Sequence, residues 1–456
     1  MARRAGKWLL TLSLAAVLPP VIEQRSMPAI GGLLGLNRTV AASYQAPAAP
    51  SRIVTALTTG LQAPEPAARA TAACELGLRG TDAISAVPAL VSLLADDARV
   101  DELDCSDNRG DGRGWMAGGE LRHCSTSPAR ESAQALSRIG ADAIKPLIAA
   151  LSDMRATMRR YAAIALGMVG DRSALRPAVT HLVTTLRDDD WQVRRSAVWA
   201  LGEVGDAQMV TPIATSLKDQ HPRVREMAAH GLGELGDARA LPALIGALDD
   251  TEWAVRREAT HGLAELHATT AVDVIERHLD DEHPQVRQMS AWALGEIKDR
   301  RAASGLRHAL KDREPDVRHQ TAWALGELED TASAGALAAT LAHDDNADVR
   351  TMAAWALGQI KAADSVPALV AALKDDDSGV RDMSAWALGE LGSEKAIDGL
   401  IAALHDTDWK VRAKVAWAIG QVADRRATEA LTASLKDERP EVRKMAAWAL
   451  AELSNR

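Results

Sequence analysis

The stretch Val286-Arg-Gln-Met-Ser-Ala-Trp-Ala-Leu-Gly-Glu-Ile297 decides the fold, because the chain writes it nine times with small changes. Its opening valine recurs as Val193, Val224, Val255, Val286, Val317, Val349, Val380, Val411 and Val442. Each step is 31 residues, except the 32 from Val317 to Val349. Repetition at a fixed period of this size is the mark of stacked supersecondary units. Within the stretch, Val286, Ser290, Ala293, Leu294 and Ile297 share one face of a helix. A second amphipathic run lies upstream in each unit, as in Leu241, Leu244, Ile245 and Leu248. A short polar turn carrying Asp, often with Pro, joins the two. One unit is therefore a hairpin of helices A and B. Neither helix buries its apolar stripe alone, so neighbouring units must stack.

The recurring pattern Asp-x(4)-Val-Arg-x(2)-Ala-x-x-Ala-Leu-Gly-x-Ile-x-Asp resembles the HEAT-repeat family, specifically the short HEAT-like units of the phycocyanobilin-lyase type. The resemblance covers residues 51–456. It implies an all-α, right-handed α-solenoid of about twelve stacked two-helix repeats, with the B helices lining the concave surface. It does not imply one activity, since such solenoids serve many functions. The first units are degenerate: Ala68-Arg69, Ala129-Arg130 and Met158-Arg159 stand where Val-Arg stands later.

Two charged columns accompany the anchor valines. An Asp lies five residues before each, from Asp188 to Asp437, and an Arg one residue after, from Arg194 to Arg443. Paired carboxylates invite an acid–base reading. A turn Asp accepting backbone N–H groups, bridged by an Arg fork, reads better as a structural ladder between repeats.

Six residues after the anchor stand Trp199, His230, His261, Trp292, Trp323, Trp355, Trp386, Trp417 and Trp448. At about 100° per residue this column lies off the core face of helix B. Beside it fall Met227, Met289, Met352, Met383 and Met445, and at its edge Glu296, Glu327 and Glu390. A groove lined this way suits a protein or peptide partner with apolar and basic segments. Packing of the Trp rings on neighbouring B helices is the other reading, and one does not exclude the other. His230 and His261 sit in adjacent units, but no third metal ligand is spaced to join them, so neither a metal nor a cofactor is expected.

The chain of 456 residues is 47 % hydrophobic and 25 % charged, as a folded protein should be. A net charge of -9 and the lack of a Lys/Arg block argue against a nucleic-acid or anionic-membrane surface. Residues 1–43 read as a signal peptide or N-terminal anchor. Arg3, Arg4 and Lys7 precede the apolar Trp8–Val17, and Val40 and Ala42 offer a small-residue cleavage pattern. Residues 44–50 form a Pro/Ala linker. A periplasmic or secreted location follows, with N-terminal membrane anchoring as the alternative. The period breaks at an insertion over 97–127, rich in Gly and Asp. Cys105 and Cys124 are expected to close it with a disulfide, and Cys74 to be a small core residue. The insertion's acidic residues do not match a Ca²⁺-binding loop, since Arg109 and Gly118 occupy ligand positions.

Enzymatic readings are weak. Deoxyhypusine hydroxylases, which are HEAT-like, bind two irons through His-Glu pairs at the start of B helices. The matching slot here holds His319-Gln320 once and His-Glu nowhere. Bilin-lyase activity rests on repeat resemblance alone. The expectation is a non-catalytic protein-interaction scaffold, binding on its Trp/Met/Glu face and able to self-associate end to end. A structural spacer, or a companion of a bacterial membrane metallopeptidase sensor, is the alternative.

Overall fold

The structure, a computed structural model, describes residues 51–101 and 125–455. The described residues form twelve helix hairpins stacked as an α-solenoid. The repeats are numbered by their B helices: Pro66–Leu78 (1), Pro128–Ile139 (2), Ala156–Met168 (3), Trp191–Val204 (4), Pro222–Leu235 (5) and Trp253–Glu265 (6). Pro284–Ile297 (7), Pro315–Glu327 (8), Ala347–Gln359 (9), Ser378–Leu391 (10), Trp409–Val422 (11) and Pro440–Asn455 (12) complete the stack. The A helices are shorter, such as Leu241–Ala247 and Val366–Ala372, and most follow a 3-10 turn.

Local chemistry sets both ends of helix B. In repeats 4 and 10 the Asp190 and Asp377 side chains accept the first free N–H groups of the helix. Repeats 5, 7, 8 and 12 instead begin with proline, which loses nothing there because that N–H has no intrahelical partner. The chain then turns through a left-handed residue. Gly205 and Gly236 take this role with φ of 66° and 63°, but Lys298 and Ala423 adopt it with φ of 57° and 56°.

Consecutive B helices pack against each other along most of their length, whereas consecutive A helices meet at few points. The anchor valines form the hairpin core, and none is more than 1 % exposed. The close B–B contact depends on the glycine of Trp-Ala-Leu-Gly. A Cβ placed on Gly295 would lie 2.6 Å from Cζ3 of Trp323 and 3.0 Å from Cα of Ala324. The same clash, at 2.4–2.7 Å, recurs at Gly167, Gly326, Gly358, Gly389 and Gly420 against the Trp of the next repeat. A mid-helix glycine costs about 1 kcal/mol relative to alanine. Here it opens the notch that seats the following indole.

The charged columns form a ladder. Arg256 donates from Nε and Nη2 to both oxygens of Asp281 in the next repeat, at 2.7 and 2.8 Å. Its Nη1 donates to the backbone carbonyl of Asp250 in its own turn, at 2.8 Å. Asp281 in turn accepts the His283 backbone N–H at 2.8 Å. One guanidinium thus clamps its own turn to the next. The rung repeats from Arg159–Asp188 through Arg412–Asp437. Arg443 of repeat 12 reaches the carbonyls of Asp437 and Glu438 in its own turn. Burial pushes Asp281 up, but the Arg256 fork and the His283 N–H outweigh it and hold the carboxyl below its usual range.

The ladder also corrects the phase of repeat 2. Arg69 reaches Asp96 at 2.6 Å, so repeat 1 obeys the rule. Arg130 does not: its side chain is exposed and has no ion-pair partner among the described residues. Matching Leu136-Ser137 to the Leu-Gly of other repeats puts Pro128 at the anchor position. Arg130 then stands two residues after the anchor, not one. The inserted residues before it had obscured this register.

Candidate functional site

The Trp column lies on the exposed flank of the B–B contact. Trp199 is buried, with 8 % exposure, whereas Trp292, Trp323, Trp355, Trp386, Trp417 and Trp448 are half-buried. Each half-buried ring that follows a glycine has its Cζ3 edge in the notch. Met289, Met352, Met383 and Met445 are half-buried beside them, while Met227 is 2 % exposed and belongs to the core. Glu296 and Glu327 are half-buried and Glu390 is exposed. Glu327 accepts Lys298 Nζ at 2.6 Å, and Lys414 lies 5.9 Å from the Trp417 ring.

Repeats 5 and 6 interrupt the column. His230 Nδ1 lies 3.4 Å from Glu258, which also takes two hydrogen bonds from Arg257. Burial raises Glu258, but His230 and Arg257 together bring it below its usual range. His261 stacks on Trp292 with centroids 5.4 Å apart. Beneath Trp292 stands Ala264 rather than glycine, and the indole lies against the imidazole instead. Among the described residues no group of three or more His, Cys, Asp or Glu side chains is arranged to hold a metal ion. His319-Gln320 lies on the B helix of repeat 8, where burial depresses the imidazole.

A second indole set went unread in the sequence. Trp191 and Trp253 open the B helices of repeats 4 and 6 and stack face to face on His221 and His283, at 3.8 and 4.0 Å. Trp409 of repeat 11 lies under Arg439 at 5.7 Å. The signal was available: a Trp two residues before an anchor is followed, one repeat later, by His-Pro or Arg-Pro.

The N-terminal repeats differ most from expectation. Their Trp positions hold Cys74, Gln134 and Ile164, and Ser137 stands at the glycine slot. A hollow of about 190 Å³ opens here, lined by Arg130, Gln134, Arg160, Tyr161 and Ile164 and by Trp191 and Arg195. Next to it, Val100 and Thr126 pair as an antiparallel bridge that closes the base of the insertion. Asp97 ties that base to repeat 3, accepting the Tyr161 hydroxyl at 2.8 Å and Arg160 Nη2 at 2.9 Å. Cys74 is buried and disulfide-bonded. Cys105 and Cys124, expected to pair with each other, lie outside the described residues. The interpretation of residues 1–50 also falls outside the described residues. No described helix is long and apolar enough to cross a membrane.

Comparison with known proteins agrees with this geometry. A family model described as HEAT repeats matches residues 179–264, 241–326, 272–356, 334–407 and 397–456. A second, the PBS lyase HEAT-like repeat, matches residues 128–153. No curated protein matches the chain. Among solved structures, a chain from the structure of Kap95p binding to RanGDP has a TM-score of 0.51 at 15 % identity, covering 90 % of this chain and 55 % of that one. An engineered protein matches at TM-score 0.39 and 20 % identity, covering 88 % of this chain and 99 % of its own. Human deoxyhypusine hydroxylase matches at TM-score 0.27 and 23 % identity, covering 62 % and 98 %.

Proposed function

The chain belongs to the HEAT-repeat family, and we propose that it is a non-catalytic scaffold that binds a protein partner along the B-helix face of repeats 7–12. The observation that carries this reading is the row of half-buried indoles, each beside a half-exposed neighbour such as Met352 or Met383. Large side chains fixed in place by their own packing make effective anchors, because little conformational freedom remains to be lost on binding. Glu296, Glu327 and Glu390 along the row favour a partner with basic as well as apolar residues. The denser packing between B helices than between A helices supports a stack that curves towards the B side. Export to an oxidising compartment belongs to the same reading, supported by the disulfide at Cys74. N-terminal sequencing of the mature chain tests that part.

Trp-to-Ala variants are poor probes of this face, since each indole also fills a notch in its neighbour. The better test changes Met352 and Met383 to Lys together and compares that variant with the native chain as bait on the cell's envelope fraction. A protein retained by the native chain and lost by the variant supports the reading. A protein retained equally by both moves the site elsewhere on the solenoid. Nothing retained by either favours a structural spacer.

A further inference from the structure

We propose that repeats 2–4 hold a pocket for an acidic side chain of the partner polypeptide. The inference rests on the partner-binding reading above and adds a second, chemically distinct subsite to it. The pocket exists because the indole column stops: Gln134 and Ile164 leave open the space that a ring fills in repeats 8–12. Three guanidinium groups converge there. Arg130, Arg160 and Arg195 each stand two residues after the anchor position, on successive B helices. Arg130 is exposed and has no ion-pair partner among the described residues. Arg160 is held by Asp97 at 2.9 Å and by Gln192 at 2.8 Å, which fixes its position without using every donor. Arg195 is half-buried, and burial depresses its proton affinity; Glu226 opposes that and Arg223 adds to it. A carboxylate placed in the hollow would pair with Arg130, which has no ion-pair partner among the described residues.

The size of the hollow limits the occupant. At about 190 Å³ it is below the range of roughly 300–1,000 Å³ typical of small-molecule and cofactor sites. It is closer to the ~150 Å³ cavity that accommodates a benzene-sized group. One side chain fits that description. The apolar walls of Ile164, Met168 and Trp191 suit a leucine or similar residue next to the acid. A recessed, partly apolar hollow is a poor match to a flat anionic bilayer.

The test uses the full chain and a labelled, end-capped peptide of alternating leucine and glutamate, with a twin carrying glutamine in place of glutamate. Fluorescence anisotropy should show the glutamate peptide binding about ten-fold more tightly than its twin. Arg130→Glu should abolish that preference, as should Gln134→Glu, which adds a carboxylate without removing a guanidinium. The Met352→Lys, Met383→Lys variant should bind the peptide normally, so loss of the indole-row partner and loss of this pocket are separable. Equal binding of the two peptides, or binding of neither, overturns the proposal. So does a glutamate preference that both pocket variants preserve. Binding of phosphatidylglycerol vesicles that Arg130→Glu removes, without peptide binding, assigns the arginines to a membrane and also overturns it.

Discussion

Repeats 8–12 and repeats 2–4 are built on the same hairpin, yet they present different surfaces. In the later repeats glycine and tryptophan alternate across every B–B contact, so the column is filled and its exposed flank is apolar. In the earlier ones Ser137 occupies the glycine slot and Ile164 the tryptophan slot, and a hollow flanked by arginines takes their place. The difference shows that stacking and surface chemistry are separable in this fold. Valine and leucine anchors hold the hairpins together at both ends. What fills the column, and whether the second residue after the anchor is Arg, decides what each end can bind.

The largest expected effect breaks the ladder at one of its most buried rungs. Asp281→Ala leaves Arg256, about 9 % exposed, with only the exposed Glu282 carboxylate 3.5 Å away, and should cost about 3 kcal/mol. Arg130→Ala, outside the ladder, should change stability little. Chemical denaturation checks both, and hydrogen exchange across repeats 5–8 checks the first. The ladder also sets a pH response. The carboxyls from Asp188 to Asp437 lie below their usual range in the folded chain, so their stabilisation is present above about pH 4. It is lost as pH falls further, through the folded values. Acid titration of the Asp281→Ala variant should show a shallower loss than the native chain.

The disulfide at Cys74 should matter next, and only at the N-terminal end. Its reduction is expected to cost about 2–4 kcal/mol, with faster hydrogen exchange in repeats 1 and 2 and none of that change in repeats 8–12. A non-reducing peptide map should join the Cys74 peptide to one containing Cys105 or Cys124. A map joining Cys105 to Cys124 would bear out the loop closure expected from spacing.

The glycine notch gives a direct contrast between the two regions. Gly326→Ala places a methyl 2.6 Å from Trp355 and should destabilise by about 1–3 kcal/mol through overpacking. Ser137→Ala, at the matching slot of repeat 2, should be close to neutral because no indole sits there. The smallest effect is a gain. Repeats 4 and 5 end on Gly205 and Gly236, but repeat 11 ends on Ala423 at φ 56°. Ala423→Gly should stabilise by about 1 kcal/mol by removing left-handed strain, measured as a shift of the denaturation midpoint.

Much of the molecule was legible in the sequence wherever the period held. The anchor valines, the hairpin and the Asp–Arg ladder all follow from spacing, because residues at a constant offset occupy equivalent positions. The reading slipped where the period broke. The insertion hid the register of repeat 2 by one residue, so Ala129-Arg130 was matched to the Val-Arg of later repeats. The stacking of Trp191 and Trp253 on His221 and His283 was missed because the partners lie in different repeats, with no shared position on one helix.

The sequence by itself determined the repeat, the helices and the core, since a fixed period of apolar residues admits one kind of stacked solution. Only the tertiary structure decided how far each indole is spent on its neighbour, which arginines converge at repeats 2–4, and that Cys74 is bonded. Those features depend on distances between successive hairpins. Such distances are set by the volume of the side chains between B helices, whether the small glycine that lets an indole in or the serine that stands in its place.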